Sequence, residues 1–213
     1  MDTVTKIYEL LQKGRTKPVL KAIQEALDEG VEAEVILQEG LLKGMNEVGI
    51  QFKNEEIFVP EVLISARAMN KGVELLKPYL QNEENLVKGS VVLGTVQGDL
   101  HDIGKNLVRI MLESKGITVY DLGVDVPAEK FVEEAINHHV DIICCSALLT
   151  TTMAEMKKIV DLVKEKQLDV KVMIGGAPVN QAYCDQIGAD AYTDDATSAS
   201  EVAAKFIAEK GNA

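Results

Sequence analysis

From residue 90 onward, short apolar runs rich in β-branched residues alternate with amphipathic stretches of helical period. No other feature constrains the fold so strongly. The runs place strands at 90–96, 118–122, 141–146 and 170–174, with a weak one near 189–192. The amphipathic stretches place helices at about 104–115, 128–138, 153–166, 179–187 and 197–209. Strands separated by helices cannot close as hairpins, so each returns by a crossover and runs parallel to its neighbour. The expectation is an α/β, flavodoxin-like (Rossmann-like) sheet of five parallel strands in the order 2-1-3-4-5.

Residues 1 to 80 keep helical rhythm throughout. Pro18 opens a helix with Val19, Leu20, Ile23 and Leu27 on one face, and Gly30 closes it. A further apolar stripe runs through Val35, Ile36, Leu41, Leu42, Met45 and Val48, and a fourth helix follows Pro60. Four helices with short connections predict a small bundle. The polar stretch at 81–89 reads as a linker, giving a helical domain at 1–88 and an α/β domain at 89–213.

Composition removes several function classes. The net charge of −12 leaves no basic cluster to neutralise phosphates, so no nucleic acid partner is expected. No apolar run approaches the roughly 20 residues of a membrane helix, and the N-terminus lacks a basic lead and an apolar signal core. No membrane partner is expected. Cys144, Cys145 and Cys184 are odd in number, and two are adjacent in an apolar run. Buried free thiols in a reducing cytoplasm fit this better than a disulfide framework or a redox pair.

Ligands of such sheets bind beyond the carboxyl ends of the strands, where the winding reverses. The first strand ends in "QGDLHDIG", the third in "SALLTTT" and the fourth in "IGGAP", so these ends converge on one rim. His138 and His139 precede the third strand and read as surface residues at the opposite end. A phosphate loop is rejected. Five residues separate Gly98 from Gly104-Lys105 where four are needed, Asn106 replaces Ser or Thr, and two aspartates repel phosphate. No dinucleotide fingerprint follows the first strand. Zinc needs three or four protein donors, and the rim offers only Asp99, His101 and Asp102.

There remains one histidine with a carboxylate two residues earlier. Asp99 accepting from one ring nitrogen of His101 would fix the tautomer and free the other nitrogen as a ligand. One imidazole is enough if the metal arrives in a macrocycle such as haem or a corrin. Gly98, Gly175 and Gly176 would then let backbone approach a bulky cofactor. On its own, a loop histidine is more often part of a solvated turn.

The spacing adds to this. "DLHDIG", then 41 residues, "SAL", then 26 residues, "GG" resembles the cobalamin-binding motif of methionine synthase and its relatives. The match runs through Asp99, His101, Gly104, Ser146, Leu148, Gly175 and Gly176. "GMNEVG" at 44–49 and "FVPEVLISARAM" at 58–69 resemble the helical cap of those proteins. The two-module layout is similar to the corrinoid proteins that serve methylamine, methanol and methoxyaromatic methyltransferase systems.

The resemblance implies a cobalamin cofactor with His101 as its metal ligand, displacing the cofactor's own base. It implies Asp99 on the far nitrogen of His101, with Thr152 completing the relay where methionine synthase has a serine. Gly98, Asp102, Ile103 and Gly104 would flank that ligand. Ser146 and Leu148 would take the displaced nucleotide tail beside Gly175 and Gly176, Thr150 would touch the corrin, and Phe58 would shield its upper face. The implied function is a methyl carrier in one-carbon metabolism, methanogenesis or acetogenesis, cycling between methyl-Co(III) and Co(I). Its implied partners are a substrate-specific methyltransferase, a methylcorrinoid:tetrahydrofolate or coenzyme M methyltransferase, and a reductive activase. A cobalamin-dependent regulator or the small subunit of a mutase is the alternative.

Overall fold

The change of rhythm near residue 90 is a change of architecture. The chain divides into two units, Met1–Leu86 and Val87–Ala213. The structure, a computed structural model, describes residues 2–79 and 89–211. The expected linker at 81–89 lies outside the described residues apart from Gly89.

In the first unit, α1 (Thr3–Gln12) begins where Asp2 Oδ1 accepts from the Val4 N–H at 2.9 Å. The second helix, α2 (Thr16–Asp28), carries Pro18 in its first turn, where a missing N–H costs nothing. Next comes a continuous helical stretch made of α3 (Ala33–Val35), a π-helical segment (Ile36–Leu42) and α4 (Lys43–Lys53). Then α5 (Val59–Leu76) follows Phe58, whose backbone N–H donates to Glu61 Oε2 at 3.1 Å, and ends in a 3-10 turn, Lys77–Tyr79. Ile7 and Leu11, Ile23, Leu41, Met45, Val62 and Met69 build the buried core, at the spacing of one helix face.

Two details differ from expectation. Val35 is 42% exposed, because Ile36 and Leu37 occupy the inward side of that turn. In α2 the buried stripe is Val19, Ala22, Ile23 and Ala26, which leaves Leu20 and Leu27 half-buried at its margin.

In the second unit, β1 (Ser90–Val96) leads to α6 (Ile103–Ser114), and β2 (Thr118–Val126) to α7 (Ala128–Asn137). The pattern repeats with β3 (Ile142–Ser146) and α8 (Met153–Glu165), β4 (Lys171–Gly175) and α9 (Gln181–Ile187), and β5 (Ala191–Tyr192) and α10 (Ala196–Gly211). The sheet order is β2-β1-β3-β4-β5, and every pairing is parallel. Both faces are covered. Val92 and Val96 enter one core with Phe131 and Ile143, while Val91 and Leu93 enter the other with Leu112 and Ile142. Cys145 and Cys144 follow the same alternation and lie in opposite cores. Burial pushes the Cys144 thiol up to about 12, so it packs as an inert apolar group.

Helix and strand ends fall within two residues of expectation except in β2, which runs to Val126 rather than 122. Leu93 pairs with Asp121, Gly94 with Gly123 and Val96 with Val126, so β2 holds two residues more than β1 opposite it. These bulges absorb Gly and Asp, which read in sequence as the end of a strand.

Candidate functional site

Thr95, Ser146 and Gly175 stand in register across β1, β3 and β4, so the three motif segments leave the sheet side by side. After β1 the chain turns over Gln97 and Gly98, and the Asp99 N–H donates to Val96 O at 3.1 Å. Gly98 takes φ +81° at the third position of this turn, a conformation that costs glycine nothing. Asp99 and His101 follow before α6 begins.

Asp99 is completely buried. Its Oδ1 lies 2.6 Å from His101 Nδ1 and accepts from the His101 backbone N–H at 3.1 Å. Its Oδ2 accepts from the N–H groups of Leu148 and Leu149 at 2.7 and 3.2 Å and from Thr152 Oγ1 at 3.1 Å. Burial pushes this carboxyl up, but hydrogen bonds from Leu148, His101 and Thr152 outweigh it and hold Asp99 well below the usual carboxylate range. An ionised carboxylate only accepts, so His101 Nδ1 carries the hydrogen of the 2.6 Å contact. In the neutral ring Nε2 then holds the lone pair. The His101 side chain is half exposed, while its carbonyl accepts from the buried Thr95 hydroxyl at 2.7 Å.

The other expected residues of this unit lie along the same rim. Asp102 precedes α6 and accepts from Asn106 Nδ2 at 3.2 Å, and Thr150 is exposed in the turn before α8. Thr152 opens α8 with its hydroxyl turned to Asp99 instead of capping the helix. Ser146 and Gly175 end their strands. Gly176 is required by the protein itself: at φ +129° a Cβ there would meet Ala147 O. Phe58 belongs to the helical unit and is exposed at the head of α5. His138 is exposed, stacks on Tyr120 with centroids 3.8 Å apart, and pairs with Glu134 at 3.1 Å; His139 is exposed as well.

Leu100, Leu149, Thr95 and Asp125 escaped the sequence, whereas Ile103 and Gly104 were expected at the site. Leu100 and Ile103 are each 72% exposed beside His101, and Leu149 is also exposed. A Cβ on Gly104 would meet nothing within 4 Å. An open, largely apolar margin around a half-exposed imidazole suits a broad ring system that covers it. Asp125 accepts from the Gly98 N–H at 2.7 Å, and its own N–H donates to Asp99 O at 3.0 Å. The lysine weighed as a phosphate ligand, Lys105, is buried and bonds both oxygens of Asp121 at 2.6 Å. Only the lone Thr95 inside an apolar run carried a visible signal.

Fold and rim together define a doubly wound α/β protein that offers one oriented imidazole to a ligand. Two family models, each described as a B12 binding domain, match residues 3–77 and 89–204. A dimethylamine corrinoid protein of Methanosarcina acetivorans is 45% identical over 89% of this chain and 90% of its own. A corrinoid protein of Desulfitobacterium hafniense is 41% identical over 97% and 98%. The crystal structure of the methanol:cobalamin methyltransferase complex of Methanosarcina barkeri aligns with TM-score 0.86 and 32% identity, covering 97% of this chain and 80% of that one. The chain belongs to the B12-binding corrinoid proteins of methyltransferase systems, and its cofactor is a corrinoid. The residues present fit that group, since the donor is a single nitrogen and the space beside it is open. Among the described residues no helix is long and apolar enough to cross a membrane.

Proposed function

We propose that this protein is a methyl carrier. It accepts a methyl group from a substrate-specific methyltransferase and hands it to a second one that serves tetrahydrofolate or coenzyme M, with a reductive activase restoring the cofactor when it is over-oxidised. The names of its relatives point to methylated amines and methanol as donors. The partner enzyme makes that choice. Three buried free thiols suit work in the cytoplasm.

One observation carries this function: the 2.6 Å contact of His101 Nδ1 with a buried, ionised Asp99. When bound, the corrinoid supplies a cobalt centre that gains and loses a methyl group. His101 Nε2 would hold the cobalt. Asp99 fixes the tautomer and the orientation of the ring. The Asp99 charge would balance a proton held at His101 Nε2 when no metal is bound there. Thr152 has one hydroxyl hydrogen and two acceptors, Asp99 Oδ2 at 3.1 Å and Leu149 O at 2.9 Å. If Oδ2 takes a proton, that hydrogen swings to Leu149 O and the hydroxyl accepts from Asp99. No heavy atom has to move. Gly175, Gly176, Ser146 and Leu148 take the displaced tail, and Thr150, Ile103, Asp102 and Gly104 border the ring.

The test is reconstitution of the wild type and His101→Ala with hydroxocobalamin. The wild type is expected to show the visible spectrum of a histidine-ligated corrinoid, which the variant loses. Wild-type cobalt should be methylated by a partner methyltransferase with a methylamine or methanol. An identical spectrum for the two proteins, or no methylation with any such partner, overturns the proposal.

A further inference from the structure

We propose that Asp125 is the positioning residue that aims His101 at the cofactor, by clamping the backbone on either side of Asp99. The proposal rests on the assignment of His101 as the axial ligand. Asp125 lies four residues beyond Asp121, at the second bulge of the edge strand β2. It is exposed and has φ +55°, a left-handed conformation that aspartate tolerates better than most residues. Bulges of this kind re-aim side chains beside functional sites.

The bulge gives Asp125 two bonds to one dipeptide. Oδ1 accepts from the Gly98 N–H at 2.7 Å, and the Asp125 N–H donates to Asp99 O at 3.0 Å. The Asp99 carboxylate is already committed to Leu148, Leu149 and Thr152 beyond β3. Among the described residues its main chain is otherwise held by the turn bond to Val96 O. Asp125 therefore fixes where the Asp99 Cα stands between β2 and β3. An error of about 1 Å there lengthens the His101 contact beyond hydrogen-bond range, and ligand geometries tolerate less than that. Asp125 reaches neither the ring nor its nitrogen, so its influence passes through Asp99.

The test uses the full-length protein, labelled with [15N]histidine and loaded with cob(II)alamin. In the electron paramagnetic resonance spectrum a 15N imidazole ligand splits the cobalt lines into doublets, whereas the cofactor's own 14N base gives triplets. Asp125→Gly keeps the left-handed backbone and removes the acceptor. Asp125→Ser shortens the side chain out of reach, and Asp125→Asn keeps an oxygen in place. The expected result is a doublet fraction reduced at least several-fold in the Gly and Ser variants and restored in Asn, with melting temperatures close to wild type. In the apoprotein, Asp125→Gly should also move the His101 Nδ1–H resonance upfield. A folded Gly or Ser variant with a full doublet overturns the proposal, and so does an Asn variant no better than Gly. A wild type that shows only triplets overturns the axial assignment instead, which separates the two failures.

Discussion

Asp99 lies in the turn after β1 and Asp121 within β2, and both are held below the usual carboxylate range by different means. Burial raises Asp121, and the Lys105 ammonium at 2.6 Å from both oxygens outweighs it, with Gly123 N–H and Arg109 assisting. Around Asp99 the bonds come from three backbone amides, a hydroxyl and an imidazole, and among the described residues no lysine or arginine pairs with it. A carboxylate matched by a full cation is complete in itself and serves to pin α6 to β2. A carboxylate ringed by neutral dipoles keeps its charge free to hold a proton on a ligand. The same side chain becomes structural or functional according to the charge of its donors.

Breaking the first arrangement should cost the most stability. Lys105→Met leaves Asp121 without its ammonium. Buried pairs lose about 3–5 kcal/mol when one partner goes, and the loss here belongs at the lower end because Asp121 reaches water and keeps Arg109. Urea unfolding measures this. The histidine-ligated spectrum of the folded, loaded variant should survive, and its loss would erase the contrast between the two carboxylates.

Breaking the second should cost less stability and more function. Asp99→Asn turns an amide NH2 toward either His101 Nδ1–H or the Leu148 and Leu149 N–H groups, so donors face donors. The expected destabilisation is about 1–3 kcal/mol, together with loss of His101 ligation in the visible spectrum. Retained ligation would mean that the ionised state of Asp99 is dispensable.

The smallest effect is the sharpest test. Both carboxylates titrate lower when folded than when unfolded, so each contributes stability that is fully present above the unfolded value. That contribution is lost as the pH falls below about 4. Added salt should weaken the Asp121 part, which is a charge pair near water, and leave the Asp99 part nearly unchanged. Unfolding the apoprotein between about pH 5 and pH 3 at low and high salt separates them. In Asp99→Asn the acid-dependent loss that persists at high salt should shrink. If all of the loss vanishes with salt, Asp99 is not held by neutral donors.

Much of this was legible in advance. The switch from helical period to alternating strands and helices set the parallel pairing, because crossovers force it whatever the side chains are, and the order followed from the flavodoxin-like pattern. Asp99, His101, Ser146 and Gly175 could be placed on one rim, since each directly follows or ends a strand whose neighbours were known. Thr152 was implied only by the family resemblance, and its hydroxyl bonds Asp99 Oδ2 at 3.1 Å. Val35 misled, because its periodicity held but the adjacent Ile36 and Leu37 claimed the interior.

Sequence by itself determined the elements, their order and the imidazole, because periodicity and motif spacing are local along the chain. Tertiary structure decided what grips the loop. The Asp125 clamp depends on two extra residues in β2. How many residues of one strand face how many of the next is a property of the pairing, written in neither strand alone.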